Sequence, residues 1–202
     1  MTLEPAVAVI ARKQVSRRKL LDAARSLFTE RGYHDTRPQD IARAAGVGHG
    51  TFYLHFADKR ECFLAFVDEA AAEVHDSISR RTQDAQDIED YVRGVFEGFQ
   101  NYNKEHPGVL AAAMVDATVI GGSENTVPLM HRWAHDWTDR IEEMMEKKMV
   151  SGKIDPQVAG YAIIGAIQQS FIGGMRDGLG YKEVLDGLIE FIVRALGSGR
   201  TA

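Results

Sequence analysis

The chain of 202 residues is 45% hydrophobic and 26% charged, a composition typical of a globular protein with one large or two small domains. Its single cysteine excludes an intrachain disulfide, and no apolar run approaches the roughly 20 residues that span a bilayer, so we expect a cytoplasmic protein without membrane segments. The net charge of −5 is unevenly distributed, because residues 1–60 carry 11 Lys/Arg against 6 Asp/Glu and residues 61–202 carry 13 against 23. A basic N-terminal segment on an acidic body indicates a polyanionic partner, with a merely solvated basic face as the alternative.

Apolar residues recur at helical spacing through almost the whole chain, and no alternating strand pattern of useful length interrupts them. We expect residues 1–15 to form a mobile arm. The first helix follows, with an apolar stripe that begins at Leu20, and Gly32 ends it. Thr36 is expected to cap the N-terminus of a second helix that continues to about Ala45.

A sharp turn at Gly46 is expected to separate the second helix from a third one, which runs from about His49 to Phe56. Asp58 is the expected N-cap of a long fourth helix. Five more helices follow, three of which begin next to a proline, where a missing N–H costs least. The fourth to ninth helices are predicted at about residues 59–81, 87–104, 107–121, 128–152, 156–178 and 182–196. The sequence therefore predicts an all-α fold of about nine helices.

The second and third helices form a pair around a glycine turn within residues 36–59. Phe52 and Phe56 lie four residues apart on one helical face, so both are expected in a small core that sets the angle of the pair. The opposite face presents short or planar side chains that can form hydrogen bonds. A helix of this size fits the major groove of DNA, with its N-terminal residues nearest the base edges. The pattern predicts a helix-turn-helix.

Residues 14–74 resemble the N-terminal domain of the TetR family of bacterial regulators. The residues that match the family pattern are Thr36, Ile41-Ala42, Ala45-Gly46-Val47, Gly50-Thr51-Phe52-Tyr53, His55-Phe56 and Lys59, preceded by Ala23-Ala24, Leu27-Phe28 and Gly32-Tyr33. Gly48 departs from the pattern, which usually has serine there, but glycine is an acceptable N-cap. The resemblance implies an N-terminal three-helix DNA-binding domain over residues 14–74 and a helical ligand-binding and dimerisation domain over residues 75–202.

The resemblance also implies roles for individual side chains. It implies contacts to the phosphate backbone by Thr51, Tyr53, His55 and Lys59. Positions near base edges are held by Arg37, Gln39, His49 and Gly50. Packing against the first helix is the alternative for Tyr53 and His55, and Leu54 either touches a thymine methyl or packs towards the second helix. The implied partner is a double-stranded DNA operator of near-palindromic sequence, bound by a homodimer that acts as a repressor and is released by a small-molecule effector.

The C-terminal region is rich in aromatic residues and methionine, which suits an adaptable apolar pocket. The candidate pocket residues are Tyr91, Phe99, Met114, Trp133 and Trp137, and an ordinary helical core is the alternative for each of them. The eighth and ninth helices have more apolar faces than one monomer core requires. Glycines 165, 173 and 174 would allow helices to approach closely there, so we expect these helices to form the dimer surface.

Other readings of the sequence are weaker. His131, His135 and Asp139 recur every four residues, a spacing that can hold a metal ion, although an exposed helix face is favoured and we assign no metal. Cys62 could sense redox state, but it lies among core positions and is expected to be buried. No nucleotide-binding loop or nucleophile elbow is present, so we expect neither an enzyme nor a cofactor. An architectural DNA-binding protein is the alternative from another class, but it would not need the large acidic body.

Overall fold

A computed structural model of the chain describes the backbone of residues 4–114, 129–151 and 153–197. These residues form nine helices and no strand, which confirms the predicted all-α fold. None of these helices is both long and apolar enough to cross a membrane. The helices are α1 (Glu4–Arg31), α2 (Pro38–Ala44), α3 (His49–Tyr53), α4 (Lys59–Thr82), α5 (Ile88–Glu105), α6 (Val109–Met114), α7 (Leu129–Glu146), α8 (Pro156–Arg176) and α9 (Tyr181–Leu196).

The chain divides into two compact units. The first unit comprises residues 1–73 and 103–124, and the second comprises residues 74–102 and 125–202. Helices α4 and α5 each contribute residues to both units. Each unit has buried apolar residues of its own, so each is described separately below.

An aromatic cluster joins α1 to α4 in the first unit. The ring of Phe28 packs edge-on against Phe63 with centroids 5.1 Å apart, and it lies 5.7 Å from the ring of Phe66. Arg25 adds two parallel hydrogen bonds of 2.8 Å to the carboxylate of Glu73. This bidentate, partly buried ion pair fixes the orientation of the two helices more strongly than an exposed pair would.

The N-terminal arm is helical. The prediction of a mobile arm over residues 1–15 is wrong for residues 4–15, which form the first turns of α1. No glycine or proline lies between Pro5 and Gly32, so nothing interrupts the helix once it has started, and Pro5 lies in the first turn, where its missing N–H is not needed. Gly32 ends the helix as predicted, with a left-handed φ of 77°.

Thr36 caps a different helix end from the one predicted. The N-cap of α2 is Arg37, and no side chain caps that helix. The buried hydroxyl of Thr36 instead donates towards the carbonyl oxygens of Gly32 at 2.8 Å and Leu27 at 3.3 Å. Tertiary packing draws the hydroxyl inwards, and there it closes the turn after α1, where helix carbonyls lack intrahelical donors.

Asp58 caps α4 as predicted, and Asp155 caps α8 in the same way, since each carboxylate accepts a 2.8 Å hydrogen bond from the backbone N–H three residues later. Other boundaries differ from prediction. Helix α3 ends at Tyr53 rather than Phe56, and α6 begins at Val109, after a turn in which Gly108 has a φ of 81°. The predicted end of the sixth helix and the predicted start of the seventh at Pro128 lie outside the described residues.

Helix α7 ends at Glu146, so the predicted end at Gly152, itself outside the described residues, is wrong. Lys148 takes a left-handed φ of 57° and donates to the carbonyl of Met145, while Met149 donates to that of Met144 at 2.8 Å. These two bonds form a Schellman motif without a glycine. The early end lets Val150 enter the apolar core of the second unit, and that burial offsets the strain at Lys148.

The second unit is built on close helix crossings at glycines. A Cβ atom on Gly98 of α5 would lie 2.6 Å from the Cα of Ile78, and one on Gly160 of α8 would lie 2.4 Å from the carbonyl oxygen of Ala134. At the first crossing, the hydroxyl of Ser77 donates to the carbonyl oxygen of Gly98 at 2.9 Å. These are not the glycines that the sequence indicated for close approach, 165, 173 and 174, of which Gly165 has no neighbouring atom within 4 Å of its Cβ position.

We predict that Gly98→Ala lowers the free energy of unfolding by about 1–3 kcal/mol, because the added methyl forces α5 away from the backbone of α4. Urea denaturation of the wild-type and variant chains measures the change. Gly50→Ala is the matched control, since that helical glycine has nothing within 4 Å of its Cβ position. It should leave stability unchanged or raise it by up to about 1 kcal/mol. Equal stability of Gly98→Ala and wild type would show that the crossing is not tight.

Candidate nucleic-acid interface

Helices α2 and α3 form a rigid pair. Ile41 of α2 and Phe52 of α3 are completely buried. The turn after α2 is a Schellman motif in which Val47 donates to the carbonyl of Ala42 at 3.0 Å and Gly46 has a φ of 67°. This motif requires a residue with left-handed backbone angles at position 46, which glycine adopts readily, so the predicted glycine turn is confirmed. The turn fixes the direction in which α3 leaves α2.

The four residues predicted near base edges all lie on the exposed side of this pair. Two of them, Arg37 and Gln39, belong to the start of α2, and His49 and Gly50 open α3. Tyr53 is 51% exposed, and its ring packs edge-on against that of His49 with centroids 5.3 Å apart. The pair therefore presents a largely polar face on which Arg37, Gln39, His49 and Tyr53 can form hydrogen bonds.

Leu54 interrupts this polar face. Its side chain is 71% exposed, more than that of any other large apolar residue that is exposed in the described part of the chain. Packing towards α2, one of its two predicted environments, is therefore wrong. Its backbone angles are helical, with φ −74° and ψ −17°, so it continues the turn of α3.

Lys59 is partly buried. Its ammonium donates to the carbonyl oxygens of Tyr33 at 2.8 Å and His34 at 3.3 Å, and it lies 4.1 Å from the centroid of the Tyr33 ring. The lysine thus ties the first turn of α4 to the turn after α1, where a positive charge also complements the C-terminal end of a helix. It positions the helix pair whatever else it contacts.

His55 packs against α1, as the alternative interpretation of this residue held. Its Nε2 atom lies 2.7 Å from the hydroxyl oxygen of Ser16, a partner 39 positions away that sequence spacing does not reveal. Burial, together with the charges of Lys13 and Arg17, lowers the pKa of His55. Its Nδ1 atom is buried with no partner among the described residues, which also favours the neutral ring.

The described part of the chain gives no geometric support for redox sensing by Cys62 or for a metal site at His131 and His135. Cys62 is buried as predicted, and burial raises the pKa of its thiol to about 12, so almost no thiolate is present at neutral pH. His131 and His135 flank the ring of Tyr161 at centroid distances of 5.6 and 6.0 Å. Among the residues described, no three His, Cys, Asp or Glu side chains converge on a metal position.

Four of the five candidate pocket residues meet in the second unit. Tyr91 packs edge-on against Trp137 with centroids 5.7 Å apart, and Phe99 packs edge-on against Trp133 at 5.3 Å. The guanidinium carbon of Arg140 lies 4.6 Å from the centroid of the Tyr91 ring. Trp137 belongs to the apolar core of this unit, and the other three rings pack against that core. Met114, the fifth candidate, is partly exposed and belongs to the first unit.

Comparison with known proteins places this helix pair in a family. Residues 20–66 match the family model described as bacterial regulatory proteins, tetR family. An HTH-type transcriptional regulator of Bacillus subtilis, YwcC, is 24% identical over 177 residues, which cover 81% of this chain and 79% of that protein. The A-factor receptor protein of Streptomyces griseus is 26% identical over 156 residues, which cover 77% of this chain but only 52% of the receptor.

The whole fold is also similar to solved structures. The fatty acid degradation regulator FadR of Bacillus halodurans superimposes with a TM-score of 0.70 at 21% identity, covering 92% of this chain and 97% of that one. At this identity the likeness concerns the fold alone. The family match and the regulatory relatives lead to one conclusion: residues 20–66 form a helix-turn-helix domain of the tetR family of bacterial regulatory proteins.

Proposed function

We propose that the protein is a ligand-released repressor that binds a near-palindromic operator as a homodimer in the cytoplasm. The exposed polar face of α2 and α3, held rigid by buried Ile41 and Phe52, is the observation that carries this proposal. We assign DNA binding to residues 14–74 and ligand binding and dimerisation to residues 75–202. A protein that occupies a promoter blocks it by excluded volume alone, so repression requires no further surface.

Base and phosphate contacts divide among the exposed side chains. His49 and Gln39 offer ring and amide groups that can pair with base edges in the major groove, and Arg37 can pair with guanine. Thr51 and Tyr53 carry hydroxyls suited to phosphate oxygens. Lys59 and His55 already have partners on or next to α1, so we propose that they chiefly position the helix pair.

The proposed dimer surface is the outer face of α8 and α9. Along α8, Val158, Tyr161 and Ile172 are exposed at helical spacing, and Ile172 is 62% exposed. Phe191 on α9 is 53% exposed. Apolar side chains left open along a continuous stripe favour a second apolar surface as partner, and a second copy of the chain supplies one by two-fold symmetry.

The proposed effector binds among Tyr91, Phe99, Trp133 and Trp137, whose rings form an apolar, polarisable environment. The A-factor receptor is named for a ligand, which supports effector binding in this chain. Helix α4 begins next to the helix pair and ends among residues of the second unit, so a shift of that end is carried along one continuous helix. A ligand releases the operator only if it binds the DNA-binding conformation and the released conformation of the dimer with different affinity.

We predict that His49→Ala relaxes base preference at one or two positions of a selected operator, whereas Tyr53→Phe weakens binding to all sequences about equally. The reason is that a base contact carries sequence information and a phosphate contact does not. Gel shift against a panel of single-base operator variants measures both effects. Both side chains are exposed, so melting temperatures should match wild type. A changed base preference in Tyr53→Phe would contradict this division of roles.

We predict that the wild-type chain sediments at twice its monomer mass at micromolar concentration and that Ile172→Asp sediments as a monomer. A buried, unpaired carboxylate at each copy of the interface costs several kcal/mol. Val15→Asp is the matched control, because Val15 is a similarly exposed aliphatic residue on α1, and this variant should remain dimeric. A monomeric wild type would refute the proposed dimer, and a dimeric Ile172→Asp would place the interface elsewhere.

We predict that an effector and the operator weaken each other's binding by the same factor, about 5- to 150-fold for a coupling of about 1–3 kcal/mol. Trp133 and Trp137 are the only tryptophans of the chain, so quenching of their emission reports small apolar molecules that bind in the aromatic set. The affinity of such a molecule is then measured with and without operator. Equal affinities would show that it is not an effector and that the second unit chiefly dimerises the protein.

A further inference from the structure

We propose that Leu54 reads the methyl group of a thymine, and that Gly50 provides the space which lets that methyl reach it. The inference rests on the proposed function, because it assigns a specificity-determining role within the same DNA-binding face. It starts from an anomaly in that face: a leucine that is 71% exposed stands among side chains that form hydrogen bonds.

The register of α3 determines where Leu54 points. Successive helix residues are about 100° apart, so residues 50 and 54 lie about 40° from each other and about 160° from residue 52. Phe52 is fully buried and faces the core of the pair. Gly50 and Leu54 therefore share the face directed away from the protein. Leu54 keeps helical backbone angles and donates its N–H to the carbonyl of Thr51 at 3.3 Å, so the register extends to it.

Gly50 leaves an open space beside Leu54. No atom lies within 4 Å of the position that a Cβ on Gly50 would take. One turn later, the side chain of Leu54 forms an apolar wall. On one side of this space the rings of His49 and Tyr53 pack edge-on at 5.3 Å, which leaves the leucine as the aliphatic contact.

The chemistry of the major groove selects the occupant. Base edges there present hydrogen-bond donors and acceptors, and the one apolar group among them is the thymine C5-methyl. An exposed leucine gains nothing from an amine or a carbonyl edge, whereas it can remove a methyl group from water. A methyl contact of this kind is worth about fourfold in affinity at each half-site.

The test removes only the methyl group. Wild-type protein first selects a duplex from a random-sequence pool. At each consensus thymine position in turn, the two symmetry-related thymines, one in each half-site, are then replaced by deoxyuridine, which forms the same base pair with adenine. At one of these positions, we expect the replacement to weaken wild-type binding by roughly fourfold per half-site. Leu54→Ala should bind the thymine and uracil duplexes equally, and Leu54→Met should keep the discrimination because it is also apolar.

Leu179→Ala is the matched control, because Leu179 is an exposed leucine outside the helix pair, and this variant should discriminate as wild type does. The proposal is overturned if the ratio of the affinities for the thymine and uracil duplexes in Leu54→Ala stays at the wild-type value, even where the variant binds both duplexes more weakly. It is also overturned if wild type binds the thymine and uracil duplexes equally at every position. Failure of the wild type to enrich any sequence over competitor would instead overturn the proposed DNA-reading function itself.

Discussion

The complete burial of Phe52 is the constraint on which the DNA-binding face depends. A five-residue helix such as α3 has too few internal hydrogen bonds to be stable alone, so packing supplies its stability and its orientation. With Phe52 facing inwards, His49, Gly50, Tyr53 and Leu54 must face outwards or sideways. The chemistry of the interface is thus decided by one apolar residue that cannot touch DNA.

Other contacts in the first unit hold this pair in place from outside. Lys59 bonds the carbonyls that follow α1, His55 bonds Ser16, and the Thr36 hydroxyl closes the turn between α1 and α2. Each of these polar groups is at least partly buried and has a specific partner, so its desolvation is offset by a hydrogen bond. Side chains that a DNA-binding pattern marks as contacts can therefore serve mainly to position their neighbours.

The second unit achieves precision by a different means. Its helices cross where glycine lets two backbones approach, at Gly98 and Gly160, and apolar side chains fill the remaining space. Close crossings resist continuous deformation, since any tilt produces overlap on one side and a gap on the other. A ligand that enters such a core favours a second discrete packing, and this property makes a helical core suitable as a switch.

The sequence alone determined the all-α fold, the helix-turn-helix and most helix starts, because aspartate caps, prolines and glycine turns act within a few residues along the chain. It also placed Cys62 in the core, since helical periodicity specifies which face is apolar. Only the tertiary structure decided that Thr36 turns inwards, that α7 ends at Glu146 in a turn without a glycine, and that Lys59 and His55 bond partners near α1. It also left Leu54 exposed. These outcomes depend on contacts between residues distant in sequence, and the energies of such contacts exceed the local preferences from which helix ends and exposed faces were predicted.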